Sequence, residues 1–213
     1  FTTAYDVFEP NVSRFIHTVG LNSPLRDPAR TEEELLARTS MRRGVEQPEL
    51  PDGARARDVM AKMVQTMMTD AYGPDFSHLS ESMTLDSIEY FVFPNMFFFP
   101  GLQLPMVYRF TPDPDSVDHS YFDLLMMRPR PVDGSAPPPP PVIELGVEDT
   151  YTRAEGLGAL GRVYDQDTAN MAAQTRGFRS SHKRGQTPGN YPEVRARHLQ
   201  QRVRDYVGAY PTD

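Results

Sequence analysis

The 213-residue chain predicts an α+β fold, a curved antiparallel sheet wrapped about a long C-terminal helix. Three observations carry that prediction. Alternating apolar positions fill the N-terminal end and residues 84–128, the period of half-buried strands. Apolar residues at three- and four-residue spacing mark helices in the middle and in the last third. A proline-rich tract, residues 129–142, separates the strand-rich part from the helical end. Such a sheet leaves an apolar cavity between its concave face and the helix, walled by residues 90–99, 104–110 and 121–127.

Residues 4–10 (AYDVFEP) and 13–21 (SRFIHTVGL) read as strands joined by an Asn-containing turn. Phe15, His17, Val19 and Leu21 then share one face. Thr31 opens a short helix, TEEELLART, with Glu34 three residues on completing a capping box. After the breaker PELPDG, the spacing of Ala56, Val59, Met60, Met63, Val64, Met67, Met68 and Ala71 predicts a helix that Gly73 and Pro74 end. SIEYFVFPNMFFFPG is β-prone, and Pro94 within it predicts a bulge, an edge or a kink. LPMVYRF alternates, TPDPDSVD turns, and SYFDLLMMR, apolar on both faces, predicts a central strand. The proline tract reads as an extended surface connection. Asn190 is positioned to cap a last helix whose stripe is Tyr191, Val194, His198, Leu199, Val203 and Tyr206, with arginines opposite.

Composition excludes several classes. Acidic residues outnumber basic ones 29 to 22, which disfavours non-specific nucleic-acid binding. Without cysteine the chain itself holds no disulfide, thiolate zinc site or thiolate-held cluster. No apolar run approaches the roughly 20 residues of a membrane span, and the default compartment is cytoplasmic. Gly156, Gly158 and Gly161 lack the preceding strand and following acid of a dinucleotide fingerprint. Nothing marks a nucleophile elbow.

Chemistry concentrates at Asp167, in VYDQDTANM. On a helix it shares a face with Val163, Asn170, Met171 and Gln174. An acid in such company needs a cation or hydrogen bonds. Two readings stand on pattern. Asp165 or Asp167 caps the helix, the reading the pattern favours, or Asp167 is the acidic arm of an iron site. None of the five histidines is paired at short helical spacing, and His17 reads as a core or pocket residue. The basic segment RGFRSSHKRG, residues 176–185, is either a solvated face or a docking surface for an acidic partner or a neighbouring subunit.

In order along the chain, SIEYFVFPNMFFFPG, VYRFTPD, LGRVYDQDTANMAAQTRGFRSSHKRGQT and NYPEVRARHLQQRVRDYV resemble the C-terminal half of the large (α) subunit of Rieske non-haem iron ring-hydroxylating oxygenases. YDVFEPNVSRF is similar to the strand after that family's histidine helix. The resemblance implies a helix-grip, START-like catalytic domain, of which residues 1–213 are a part. It implies a mononuclear Fe(II) held by two histidines and an aspartate, and it places Asp167 as that aspartate. It implies a 2Fe-2S Rieske cluster in an N-terminal domain, a reductase or ferredoxin as electron donor, dioxygen, an apolar or aromatic substrate, and a homo-oligomer, a trimer. The pocket walls it suggests are Asn95, Phe97, Met106, Tyr108 and Met126, with Asn170 on the helix, or their neighbours one residue off. The closely spaced histidine pair and the cluster ligands are not in this sequence, so the segment alone is expected to be inactive. The alternatives are a non-enzymatic helix-grip module that binds an apolar ligand and a subunit-assembly fragment.

Overall fold

The computed structural model describes residues 3–22, 29, 31–135, 138–183 and 185–208. The chain divides into two compact units, Phe1–Ala136 with Pro188–Asp213, and Pro137–Thr187.

In the larger unit, six strands form one antiparallel sheet in strict chain order: β1 (Thr3–Phe8), β2 (Val12–His17), β3 (Ser87–Val92), β4 (Met96–Phe99), β5 (Met106–Asp113) and β6 (Ser116–Met126). Each tight connection falls where the sequence supplies turn residues. Glu9, Pro10 and Asn11 join β1 to β2, and Phe93, Pro94 and Asn95 join β3 to β4. Pro94 therefore lies in a hairpin turn, where no ladder bond needs its missing N–H, and not in a bulged or kinked strand. The strand expected to be central, residues 120–128, falls instead on β6 as far as Met126, and β6 ends the sheet among the described residues. Its two apolar faces have different causes. Phe122 and Leu124 join an aromatic surface, whereas Tyr121 and Leu125 stand 59% and 47% exposed on the other side.

The meander is interrupted once, between β2 and β3, by three helices: α1 (Glu32–Arg43), α2 (Ala56–Tyr72) and α3 (Glu81–Leu85). The Thr31 hydroxyl accepts the Glu34 N–H at 3.2 Å, as the capping pattern predicts. The helix outruns TEEELLART by four residues; within it Thr39 returns its hydroxyl to the Leu35 carbonyl and buried Ser40 donates to the Met60 sulfur. Gly44, in the left-handed region at φ 68°, then ends it. Leu36, Met60 and Leu85 are fully buried and knit the three helices together with Ala56 and Ala61. Each large side chain so buried contributes about 1.5–3 kcal/mol. Five residues are too few for periodicity, so α3 escapes a pattern search; Ser80 caps it by accepting the Met83 N–H.

The excursion is tied at its root. Asp86 accepts two hydrogen bonds from Arg57, at 2.8 and 3.0 Å, one from the Val19 N–H at 3.0 Å and one from Ser82 at 2.7 Å. Arg57 also donates to Glu81 and to the Val19 carbonyl. Burial works against the Arg57 charge, but its bonds to Asp86 and Glu81 prevail and raise its pKa.

The unit closes with α5 (Val194–Gly208), which packs on β1 and β2. It begins four residues after Asn190. Asn190 does not cap it; its carbonyl accepts a hydrogen bond from Arg197. The smaller unit holds two short 3-10 turns, Tyr151–Arg153 and Glu155–Leu157, and α4 (Leu160–Ser180).

Candidate functional site: an aromatic sheet face and the helix of Asp167

Strand register decides which side chains share a face. The pairs Ser13–Phe91, Phe91–Phe97, Phe97–Tyr108 and Tyr108–Leu124 run across five strands, and Phe99–Met106 and Met106–Met126 run beside them. Phe97, Met106, Tyr108 and Met126, four of the suggested wall residues, therefore lie on one face. Around them the rings are in contact. Phe91 and Phe97 lie 4.8 Å apart, Phe99 and Tyr108 4.9 Å, and Tyr108 and Phe122 5.1 Å, while Phe110 stacks on Phe122 at 4.6 Å. Offset and edge-on contacts of this kind add roughly 0.5–1.5 kcal/mol per pair beyond area burial. Met106 is 1% exposed and Met126 45%. Asn95 does different work: its amide donates to the Phe110 carbonyl at 2.7 Å and secures the end of the β4–β5 ladder.

The same face carries a charged pair that pattern reading put elsewhere. Arg195 of α5 donates to Glu89 of β3 at 2.5 Å and to the Ser13 hydroxyl at 3.2 Å, with its guanidinium over the Phe15 ring. Both side chains are mostly buried, 16% and 13% exposed. Burial raises the Glu89 pKa, and Arg195 only partly offsets it. Arginines were expected opposite the apolar stripe of this helix. Yet Arg195 lies four residues after Tyr191 and three before His198, so the helical spacing that built the stripe would have found it. His198 is buried, with Nε2 3.0 Å from the Pro10 carbonyl. His17, expected in a core or pocket, is exposed and bonds Thr3.

Two apolar grooves of about 370 and 360 Å³ flank α2, both lined by Met63 and Met67. The first is lined by α2 and residues 48–51 before it, the second by α2, Val45 and Leu102 and Gln103 of the β4–β5 connection, and none of the rings named above lines either.

In the smaller unit α4 starts at Leu160, so Asp165 and Asp167 lie inside the helix and neither caps its N-terminus. Asp165 instead accepts the Tyr151 N–H at 2.6 Å and fastens the first 3-10 turn to α4. Burial and the Asp165 charge raise the pKa of Tyr151. Gly161 permits the close approach: a Cβ there would sit 3.1 Å from the Thr152 backbone. Tyr164 is buried on this side. The other side is open. Val163, Asp167, Asn170, Met171 and Gln174 are all exposed, and no hydrogen bond or ion pair engages the Asp167 carboxylate among the described residues. In the basic segment Arg176, Arg179, His182 and Lys183 are exposed, and Arg184 lies outside the described residues.

These features define a helix-grip α+β domain with an aromatic sheet face. A family model described as the ring hydroxylating alpha subunit (catalytic domain) matches residues 23–209. The chain belongs to that family of oxygenases. No match was found among curated proteins or among solved structures.

The family implies an iron site. No group of three or more His, Asp or Glu residues that could hold a metal forms among the described residues. The Asp167 carboxylate is exposed and unengaged among the described residues, free to serve as one oxygen donor but gathered with no other candidate ligand. No helix among the described residues is long and apolar enough to cross a membrane.

Proposed function

We propose that the chain is the catalytic-domain portion of a Rieske-type oxygenase that hydroxylates an aromatic or comparably apolar substrate. The observation that carries this reading is the continuous ring surface of Phe91, Phe97, Phe99, Tyr108, Phe110 and Phe122, on a chain of the ring-hydroxylating family. Rings in edge-on and stacked contact offer a flat substrate the same geometries and exclude water from it. Met106 and Met126 supply adaptable apolar contact beside them.

Asp167 is the one metal ligand this chain contributes. Its free carboxylate, on a helix face that also carries Asn170, supports that role. Two histidines outside this sequence complete the set. The bound iron, a mononuclear Fe(II), supplies dioxygen activation. Electrons come from a reductase or ferredoxin through a Rieske cluster, and the assembly is a trimer. The exposed basic segment of α4 suits an acidic partner.

The test compares neighbouring acids in the full-length protein. Asp167→Ala is expected to lose mononuclear iron and hydroxylation and to keep the fold. Asp165→Ala is expected to keep its iron but unfold more easily, because the Tyr151 N–H loses its acceptor. An iron-replete, active Asp167→Ala enzyme would overturn the assignment and favour a module that binds an apolar ligand without chemistry.

A further inference from the structure

We infer that Glu89 is the polar anchor of the substrate, so that the ring face takes an aromatic compound bearing a neutral hydrogen-bond donor, a hydroxyl or an amino group. The inference rests on the reading of that face as the substrate surface and deepens it. Phe15 stands opposite Glu89 and Ser13 opposite Phe91, so Glu89 and Phe91 share the ring face of β3, two residues apart. Phe91 touches Phe97, and the rings continue through Tyr108 to Phe122. Phe97 lies directly opposite Phe91, so about 8 Å separates the Cα atoms of Phe97 and Glu89. A flat compound stacked on Phe97 bridges that distance with one substituent.

The Glu89 carboxylate is short of hydrogen bonds. An ionised carboxylate offers about four lone-pair sites. Among the described residues Glu89 accepts one hydrogen bond, from Arg195 to Oε1, and Oε2 takes none. Nor is Oε2 sealed off. The buried side-chain atoms that lack a partner are Asn11 Oδ1, His198 Nδ1 and Arg202 Nε, and Glu89 Oε2 is not among them. A mostly buried carboxylate with one bond and one reachable, unpaired oxygen gains more from an added donor than an exposed one does. Arg195 acts through Glu89. Its bonds to Oε1 and to the Ser13 hydroxyl, with the Phe15 ring against the guanidinium, hold the anchor in one pose, which makes Arg195 a positioning residue.

The charge on Glu89 decides between substrate classes. An O–H or N–H donor forms a charge-assisted bond to Oε2. A methyl group in its place leaves the oxygen unpaired, and a site that bonds a hydroxyl discriminates strongly against the analogue without one. An ionised carboxyl group has no proton to give and is repelled by Glu89.

Equilibrium dialysis of the full-length protein at neutral pH tests the anchor with naphthol, methylnaphthalene and naphthoate, substituted at the same ring position. The wild type is expected to bind naphthol about tenfold or more tighter than either of the others. Glu89→Leu combined with Arg195→Met replaces the pair by apolar groups, a change that packed interiors commonly tolerate. The double variant is expected to lose the preference and to keep its affinity for methylnaphthalene. Glu89→Gln, which keeps the size and removes the charge, is expected to bind naphthoate about tenfold or more tighter than the wild type does. Circular dichroism checks that each variant folds, and the wild-type comparison stands without them. Equal wild-type affinity for naphthol and methylnaphthalene, with both weakened by Phe97→Ala, would overturn the anchor and leave the ring surface as the substrate face. A preference for naphthol that survives in the double variant would also overturn it. Indifference of all three probes to Phe97→Ala would overturn the substrate-surface reading and the anchor with it.

Discussion

Replacing Arg195 with Met tests how α5 is held on the ring-bearing face of the sheet. The variant keeps most of the side-chain volume and leaves Glu89, 13% exposed, without its cationic partner. Breaking a buried pair from one side typically costs about 3–5 kcal/mol. For a chain of this size that corresponds to a fall in melting temperature of about 6–20 °C. Urea denaturation followed by circular dichroism measures the loss. The pH dependence gives a second handle. Folding raises the Glu89 pKa above its usual 4.5, burial being the larger influence and Arg195 opposing it. An acid whose pKa is raised on folding keeps its contribution below the unfolded value and loses it as pH climbs through the folded one. Without Arg195 only burial remains, so the folded value climbs further. The deficit of Arg195→Met relative to wild type should then be smallest near about pH 4 and grow toward neutrality. Adding Glu89→Gln should recover most of the loss, because no charge is left buried. A neutral-pH loss below about 1 kcal/mol, the range of an exposed pair, or a deficit that ignores pH, would refute this account.

Asp86→Ala removes the acceptor of four hydrogen bonds and strands the Arg57 guanidinium, 8% exposed, with only Glu81 as an ionic partner. A loss of about 3–5 kcal/mol in urea denaturation is expected, with hydrogen exchange accelerated in α2 and α3 before the strands. Gly161→Ala places a Cβ against the Thr152 backbone. Overpacking of this sort costs about 1–3 kcal/mol and should loosen the 3-10 turn at Tyr151, read as a rise in amide exchange there while the β-sheet amides are unchanged.

Much of the sheet was legible from alternation, and α2 was legible almost to the residue, because both rest on long periodic runs. The failures have physical causes. Residues 120–128 looked central because they are apolar on both sides; two-sided apolarity also marks an edge whose outer face is uncovered, and composition alone does not separate the two. Arg195 was missed because charge was equated with solvent, although a guanidinium with a carboxylate, a hydroxyl and a ring around it is at home on a packed face. The capping reading of Asp167 fell because α4 begins three residues before Val163, behind glycines that gave no strong start signal. Register brought Phe97, Met106, Tyr108 and Met126 to one face, as alternation allows. Asn95 was drawn elsewhere by an unmatched carbonyl on Phe110, a demand visible only once the hairpins are paired.

The tie among Val19, Arg57 and Asp86 has an evolutionary corollary. The helices α1 to α3 leave the meander and rejoin it at this tie, with His17 and Ser87 already aligned beneath it, and touch it again where the Leu102 N–H donates to the Met83 carbonyl. A lineage that keeps these two ties could lengthen or trim the helical loop without disturbing the order of a single strand. Diversity among relatives should therefore gather above these ties, while the ring-lined floor changes by single residues.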